Sequence, residues 1–139
     1  MRAFPLHILA SERVFFEGEC LSLRFPATDG FYGIQAGHAN LLASLVPGVL
    51  TFLPVGGEEE VCAVSEGLIK VEDGEVLILA DSVEYAREID EARARKAMEE
   101  AREKLLLENS QREYRQAEAR LSRALSRLKA KSDAGFPNN

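Results

Sequence analysis

Apolar and polar positions follow two different patterns along this chain, and the change falls near residue 87. In "LSLRF" at 21–25, Leu21, Leu23 and Phe25 alternate with polar partners, the period of two that marks a half-buried strand. "GVLTFLP" at 48–54, "EVCAVSEG" at 60–67 and "LIKVEDGEVLILAD" at 68–81 are further short apolar runs bounded by turn residues. Asp73-Gly74 lies between two of these runs and predicts a tight hairpin, because a type I′ turn needs positive φ at both central residues. Eight to ten strands at this spacing predict an antiparallel sandwich or a flattened barrel. From Asp90 the period becomes helical. Ala94, Ala97, Met98, Ala101 and Leu105 form one stripe, and Tyr114, Ala117, Leu121, Leu125 and Leu128 form a second. Asp90 is a good cap for the first helix, and Ser110 with Glu113 reads as a capping box for the second. The connection between them is short, so the helices should fold back as an antiparallel hairpin. The pattern alone gives an α+β chain: a β-domain over 1–86, then a two-helix hairpin over 87–139. The tail "SDAGFPNN" at 132–139 is expected to fray.

Composition sharpens the boundary. Nine of the ten glycines lie at or before Gly74, and neither glycine nor proline occurs between Gly74 and Gly135. The net charge of −6 argues against general nucleic-acid binding, but it conceals an asymmetry. Residues 1–86 carry 4 Lys+Arg against 13 Asp+Glu, net −9, whereas residues 87–139 carry 13 against 10, net +3. Two segments of opposite charge suggest different partners. No apolar run approaches the roughly 20 residues needed to cross a bilayer. The N-terminus is broken by Pro5, His7, Glu12 and Arg13, so neither export nor membrane insertion is expected. Cys20 and Cys62 lie far apart in apolar runs and read as two reduced, buried thiols.

Motifs for catalysis are missing. There is no P-loop, dinucleotide loop, HExxH or GxSxG, and neither His7 nor His38 has the neighbours of a triad or a metal site. No catalytic residue and no metal site is expected. The residues by themselves support a binding or mechanical module, a β-domain carrying a helical hairpin.

Several stretches, in order, resemble a known family. "VFFEGECLSLRFPATDGFYGIQAGHANLLASLVPG", "AVSEGLIKVEDGEVLILADSVEYAREID" and "IDEARA" are similar to consecutive signatures of the epsilon subunit of bacterial F-type ATP synthases. The resemblance covers essentially the whole chain and implies its fold: an N-terminal antiparallel flattened β-sandwich of about ten strands, followed by a C-terminal antiparallel two-helix hairpin. It implies a non-catalytic subunit of the rotating central stalk, bound to the gamma subunit and the c-subunit ring. It further implies C-terminal helices that restrain ATP hydrolysis at the alpha and beta catalytic subunits. The location implied is peripheral, on the cytoplasmic face of the bacterial plasma membrane, with membrane contact only through the complex. The rival reading is a stand-alone regulatory domain for a small ligand.

The resemblance also implies sites. Tyr32, Ile34, Gln35, Gly37, His38 and Asn40 fall in the stretch that contacts the c ring and gamma. Ala36 and Asn40 stand where the family usually has proline, and Phe31 replaces an acidic residue. Some members bind one ATP in the folded hairpin. The matching positions are Glu84, Ile89, Asp90, Arg93 and Ala94, with Arg123 and Arg127 on the second helix. Glu100 stands where that site has a further arginine. No cofactor is required, and ATP enters as a regulatory ligand. Otherwise Asp90 is a plain helix cap, Arg93 pairs with nearby acids, and the two arginines belong to a solvated stripe. The basic second helix, with Arg112, Arg115, Arg120, Arg123 and Arg127, is the segment expected to reach the acidic catalytic subunits.

Overall fold

The computed structural model describes residues 2–107 and 111–135. Nine strands precede two helices: β1 (Phe4–Ala10), β2 (Arg13–Ala27), β3 (Gly30–Ile34), β4 (Leu41–Leu45), β5 (Gly48–Pro54), β6 (Glu60–Val64), β7 (Gly67–Glu72), β8 (Glu75–Ala80), β9 (Val83–Tyr85), α1 (Glu91–Leu107) and α2 (Gln111–Gly135). The strands hydrogen-bond in the order β4-β7-β8-β1-β2-β5-β6-β9, with β3 joined to β2. The 15-residue β2 serves both layers. Its first half pairs with β1, and its second half pairs with β3 and β5. Alternating residues from every strand meet between the layers, and Leu6, Ile8, Phe25, Phe52, Ile69 and Ile78 are fully enclosed.

The expected sandwich is present, with one difference in pairing: β1 runs parallel to β8, from Leu6 beside Val76 to Ala10 beside Ala80. The first strand slots between β2 and β8, a long-range pairing that local alternation does not encode. The Asp73-Gly74 turn has φ of 52° and 82°, the two positive values a type I′ turn requires. Close approach explains Gly67. A Cβ there would overlap the carbonyl oxygen of Leu79 and lie 2.8 Å from the Ala80 Cα.

The helices follow the sequence with two adjustments. Ala94, Ala101, Ala117 and Ala124 are buried, as small residues at a close helix–helix contact should be. Tyr114 and Leu125, expected in the stripe of α2, are exposed; Ala124 takes the inward place, because alanine permits the nearer approach. The expected fraying does not begin at residue 132, since α2 continues to Gly135. Ala130 is buried and Ala134 packs on the same cluster, which holds this end against the sandwich. Ser110, half of the expected capping box, lies outside the described residues, as do residues 136–139.

Candidate functional site

The chain passes from sheet to helix through a 3-10 turn over Ala86–Glu88. Asp90 then starts α1 as a cap: its Oδ1 accepts the Arg93 backbone N–H at 3.1 Å, and its carbonyl accepts the Ala94 N–H at 3.0 Å. Ile89 and Ala94 are buried in a small cluster with Val49, Ala63, Ala86 and Ala130. They are therefore packing residues at the joint. The side chain of Arg93 is exposed.

From α2, Arg127 reaches back to β9. Its Nε donates to Glu84 Oε1 and Oε2 at 3.0 and 3.1 Å, and its Nη2 donates to Oε1 at 2.6 Å. One turn further on, Lys131 Nζ donates to the Ala86 carbonyl at 3.3 Å. Arg127 also lines a groove between the helices with Ala97, Glu100, Ala101, Lys104, Arg120 and Arg123. With Arg127 already matched by Glu84, Lys104, Arg120 and Arg123 stand against Glu100, and this excess of cations favours an anion there. The groove holds about 170 Å³. Sites for whole small molecules usually start at about 300 Å³. It therefore suits a phosphate group and leaves no room for a base and ribose.

The structure thus joins Glu84 to Arg127 and sets Arg123 beside Arg127, while Asp90 and Arg93 do not line the groove. Lys104, an exposed residue, was not legible as a groove residue, because its place on the same groove as Arg120 and Arg123 depends on how α1 meets α2. The basic residues of α2 divide in two: Arg112, Arg115 and Arg120 are exposed, and Arg123 and Arg127 are half-buried.

The loop after β3 forms a second constellation. Gln35, Gly37, His38 and Asn40 are exposed around a turn closed by His38 N–H to the Gln35 carbonyl at 3.2 Å. Gly37 has φ +84°, and a Cβ there would come within 2.9 Å of Arg2 Nη2. His38 Nδ1 lies 2.7 Å from the Ala39 carbonyl, which suits the tautomer that donates from Nδ1. Asn40 has an internal task, since its Oδ1 accepts the Asp73 N–H at 3.0 Å and ties this loop to the β7–β8 turn. Tyr32 is 44% exposed, stacks on Phe25 and donates its hydroxyl to Asp29 at 2.7 Å. Ile34 is 1% exposed and belongs to the core, so its side chain offers no surface to a partner. Its place on β3 opposite Leu23 turns it inward. Tyr32, Ile34, Gln35, Gly37 and His38, but not Asn40, border a broad cleft of about 1690 Å³ shared with the acidic turn Glu58–Glu60, Arg87 and the end of α2.

A third surface went unread in the sequence. On the outer face of the sheet, Leu68 stands opposite Leu79, Leu79 beside Leu9, and Leu9 opposite Val14. Paired residues share a face, so these four side chains make one apolar row across β7, β8, β1 and β2. Leu42 on β4 flanks it at 71% exposure. The signal was available in the unbroken apolar run "VLILA" at 76–80 and in "ILA" at 8–10, where apolar residues fall on both faces of a strand. Among the described residues no group of His, Cys, Asp and Glu is placed to hold a metal ion, and no helix is long and apolar enough to cross a membrane.

Comparison with known proteins matches residues 3–86 to the ATP synthase delta/epsilon chain β-sandwich domain, and residues 87–132 to the long α-helix domain of the same chains. The ATP synthase epsilon chain of Ruminococcus albus is 38% identical over 129 residues, 92% of this chain and 96% of that one. The epsilon chain of Anaeromyxobacter sp. strain K is 40% identical over 127 residues, 91% and 96% of the two chains. Among solved structures, a chain of the Euglena gracilis mitochondrial ATP synthase (OSCP/F1/c-ring) superposes with a TM-score of 0.76 at 24% identity, covering 96% of this chain and 81% of that one. A chain of the Tetrahymena thermophila mitochondrial ATP synthase central stalk and c-ring gives 0.58 at 16% identity, covering 91% and 95%. At these identities the structural likeness is one of fold.

Proposed function

The chain belongs to the ATP synthase delta/epsilon family, as an epsilon chain, and from that premise we propose that it is a non-catalytic subunit of the central stalk whose sandwich docks on the gamma subunit and the c ring. The observation that carries this reading is the apolar row of exposed Val14, Leu68 and Leu79 joined by half-buried Leu9. Single exposed apolar side chains are ordinary, but a contiguous row on a sheet face marks a surface that a partner covers. Gamma is the partner proposed for the row. The loop of Gln35, Gly37 and His38, with Tyr32 beside it, is proposed to rest on the c ring. The protein is then peripheral, held at the cytoplasmic face of the membrane by the complex.

The hairpin supplies the regulatory part. Packed on the sandwich, it leaves the motor free. Released, the exposed Arg112, Arg115 and Arg120 are drawn to acidic catalytic subunits and restrain hydrolysis. The cationic groove supports a further element of this reading. Phosphates of ATP at Lys104, Arg120 and Arg123 would favour the packed state by their differential affinity for it. The small groove requires the base and ribose to lie outside it.

Docking is tested by co-purification with gamma from the reconstituted stalk. The double substitution Leu68→Asp with Leu79→Asp is expected to abolish it while the free chain still melts cooperatively. Retention of gamma by this variant would remove the row as the docking face.

A further inference from the structure

The seat of α2 on the sandwich is made largely of very small side chains. Of the six residues buried in this cluster, Ala63, Ala86, Ala94 and Ala130 bring one methyl group each; Val49 and Ile89 are larger, and Val61 and Leu128 pack on it while only partly buried. Apolar burial scales with area, so this seat holds the helix weakly compared with the leucine- and phenylalanine-rich interior of the sandwich. The Arg127–Glu84 contact is of a different kind. One edge of the guanidinium, its Nε and Nη2, grips the carboxylate at 2.6 to 3.1 Å, and the two residues are 43 positions apart, on α2 and β9. Charge-assisted, forked bonds of this geometry are roughly twice as strong as neutral ones. Their side chains are 31% and 36% exposed, so water and salt can still reach the pair. A contact that is strong, reachable by solvent and set beside a weak apolar seat is suited to opening and closing.

We propose that the Glu84–Arg127 ion pair is a latch that holds α2 on the sandwich without any ligand and sets how often the hairpin opens. This rests on the reading that the hairpin leaves the sandwich to restrain hydrolysis. The latch works through local charge. Glu84 is fixed by the pairing of β9 with β6, where it faces Ala63, so the strand supplies a rigid anchor and the helix supplies the moving half. Raised ionic strength weakens the pair and frees α2.

The test is amide hydrogen exchange of the full-length chain, followed over α2 and, as a control for the sandwich, over β7 and β8. Glu84→Gln and Arg127→Gln are each expected to speed exchange in α2 about tenfold, with β7 and β8 unchanged. The exchanged pair Glu84→Arg with Arg127→Glu is expected to recover most of the protection. Salt at about 0.5 M should accelerate α2 in the wild type and have little effect in either single variant. If Glu84→Gln also loosens β7 and β8, Arg127→Gln decides, since it leaves the sandwich sequence intact. Unchanged α2 exchange in Arg127→Gln, or no recovery in the exchanged pair, overturns the latch. Faster exchange combined with unaltered hydrolysis in a complex carrying the same variant upholds the latch and overturns the restraint reading.

Discussion

At Gly67 the backbone of β7 lies so close to β8 that any Cβ would overlap the Leu79 carbonyl oxygen. The obstacle is main chain, which cannot swing aside as a side chain would. Gly67→Ala is therefore expected to cost about 2 to 4 kcal/mol, read as a lowered midpoint in urea denaturation. The two thiols make a second residue-scale case. Burial, with a smaller push from Glu19, raises the Cys20 thiol from 9.0 to about 12; burial, helped by Glu60, raises Cys62 further. Below about pH 9 both thiols keep their protons in folded and unfolded chains alike, and their contribution to stability is fully present. As the pH rises towards 12 the unfolded chain loses those protons first, so stability falls by about 1.4 kcal/mol per pH unit for each thiol. Urea denaturation at pH 8 and pH 10 should show this decline in the wild type and a shallower one in Cys20→Ala with Cys62→Ala. Equal declines would contradict it. The same burial should leave both thiols unlabelled by an aromatic disulfide reagent at pH 8 until the chain unfolds.

Elements differ in how much of them the sequence declares. The cap at Asp90 and the turn at Asp73-Gly74 depend on four or fewer consecutive residues, and both were legible and are formed. Asp90→Ala is expected to cost about 1 kcal/mol and Asp90→Asn almost nothing, measured as the amide exchange of the first turn of α1. Equal losses would mean that the negative charge, rather than the hydrogen bond to Arg93 N–H, matters at this position. By contrast, the outward row of leucines needs the register of four strands, one of them paired in parallel, and local alternation does not carry that information. The same holds for Ile34, whose burial is decided by its pairing with Leu23 across the β2–β3 turn. On α2 the stripe was legible by period, but alanine and leucine compete for the inward position. Close packing settled it for Ala124 over Leu125.

The whole molecule is a large, tightly filled sandwich joined to a hairpin by a small contact. Its charge follows the same division, with the acidic part in the sandwich and the basic part in the helices. That division explains why sequence patterns revealed the two parts and their order, yet did not reveal how the helices are fastened. The fastening rests on Ala130 and on an ion pair spanning 43 positions. In the proposed division of labour, the sandwich secures the chain in the stalk and the helices restrain the motor. The separation of these roles is tested most directly by the ATP hydrolysis rate of the complex reconstituted with the full chain or with a chain lacking residues 88–139. The expected result is that the shortened chain still co-purifies with gamma and that hydrolysis rises several-fold. An assembled complex that contains the shortened chain and hydrolyses ATP at the unaltered rate would contradict this division.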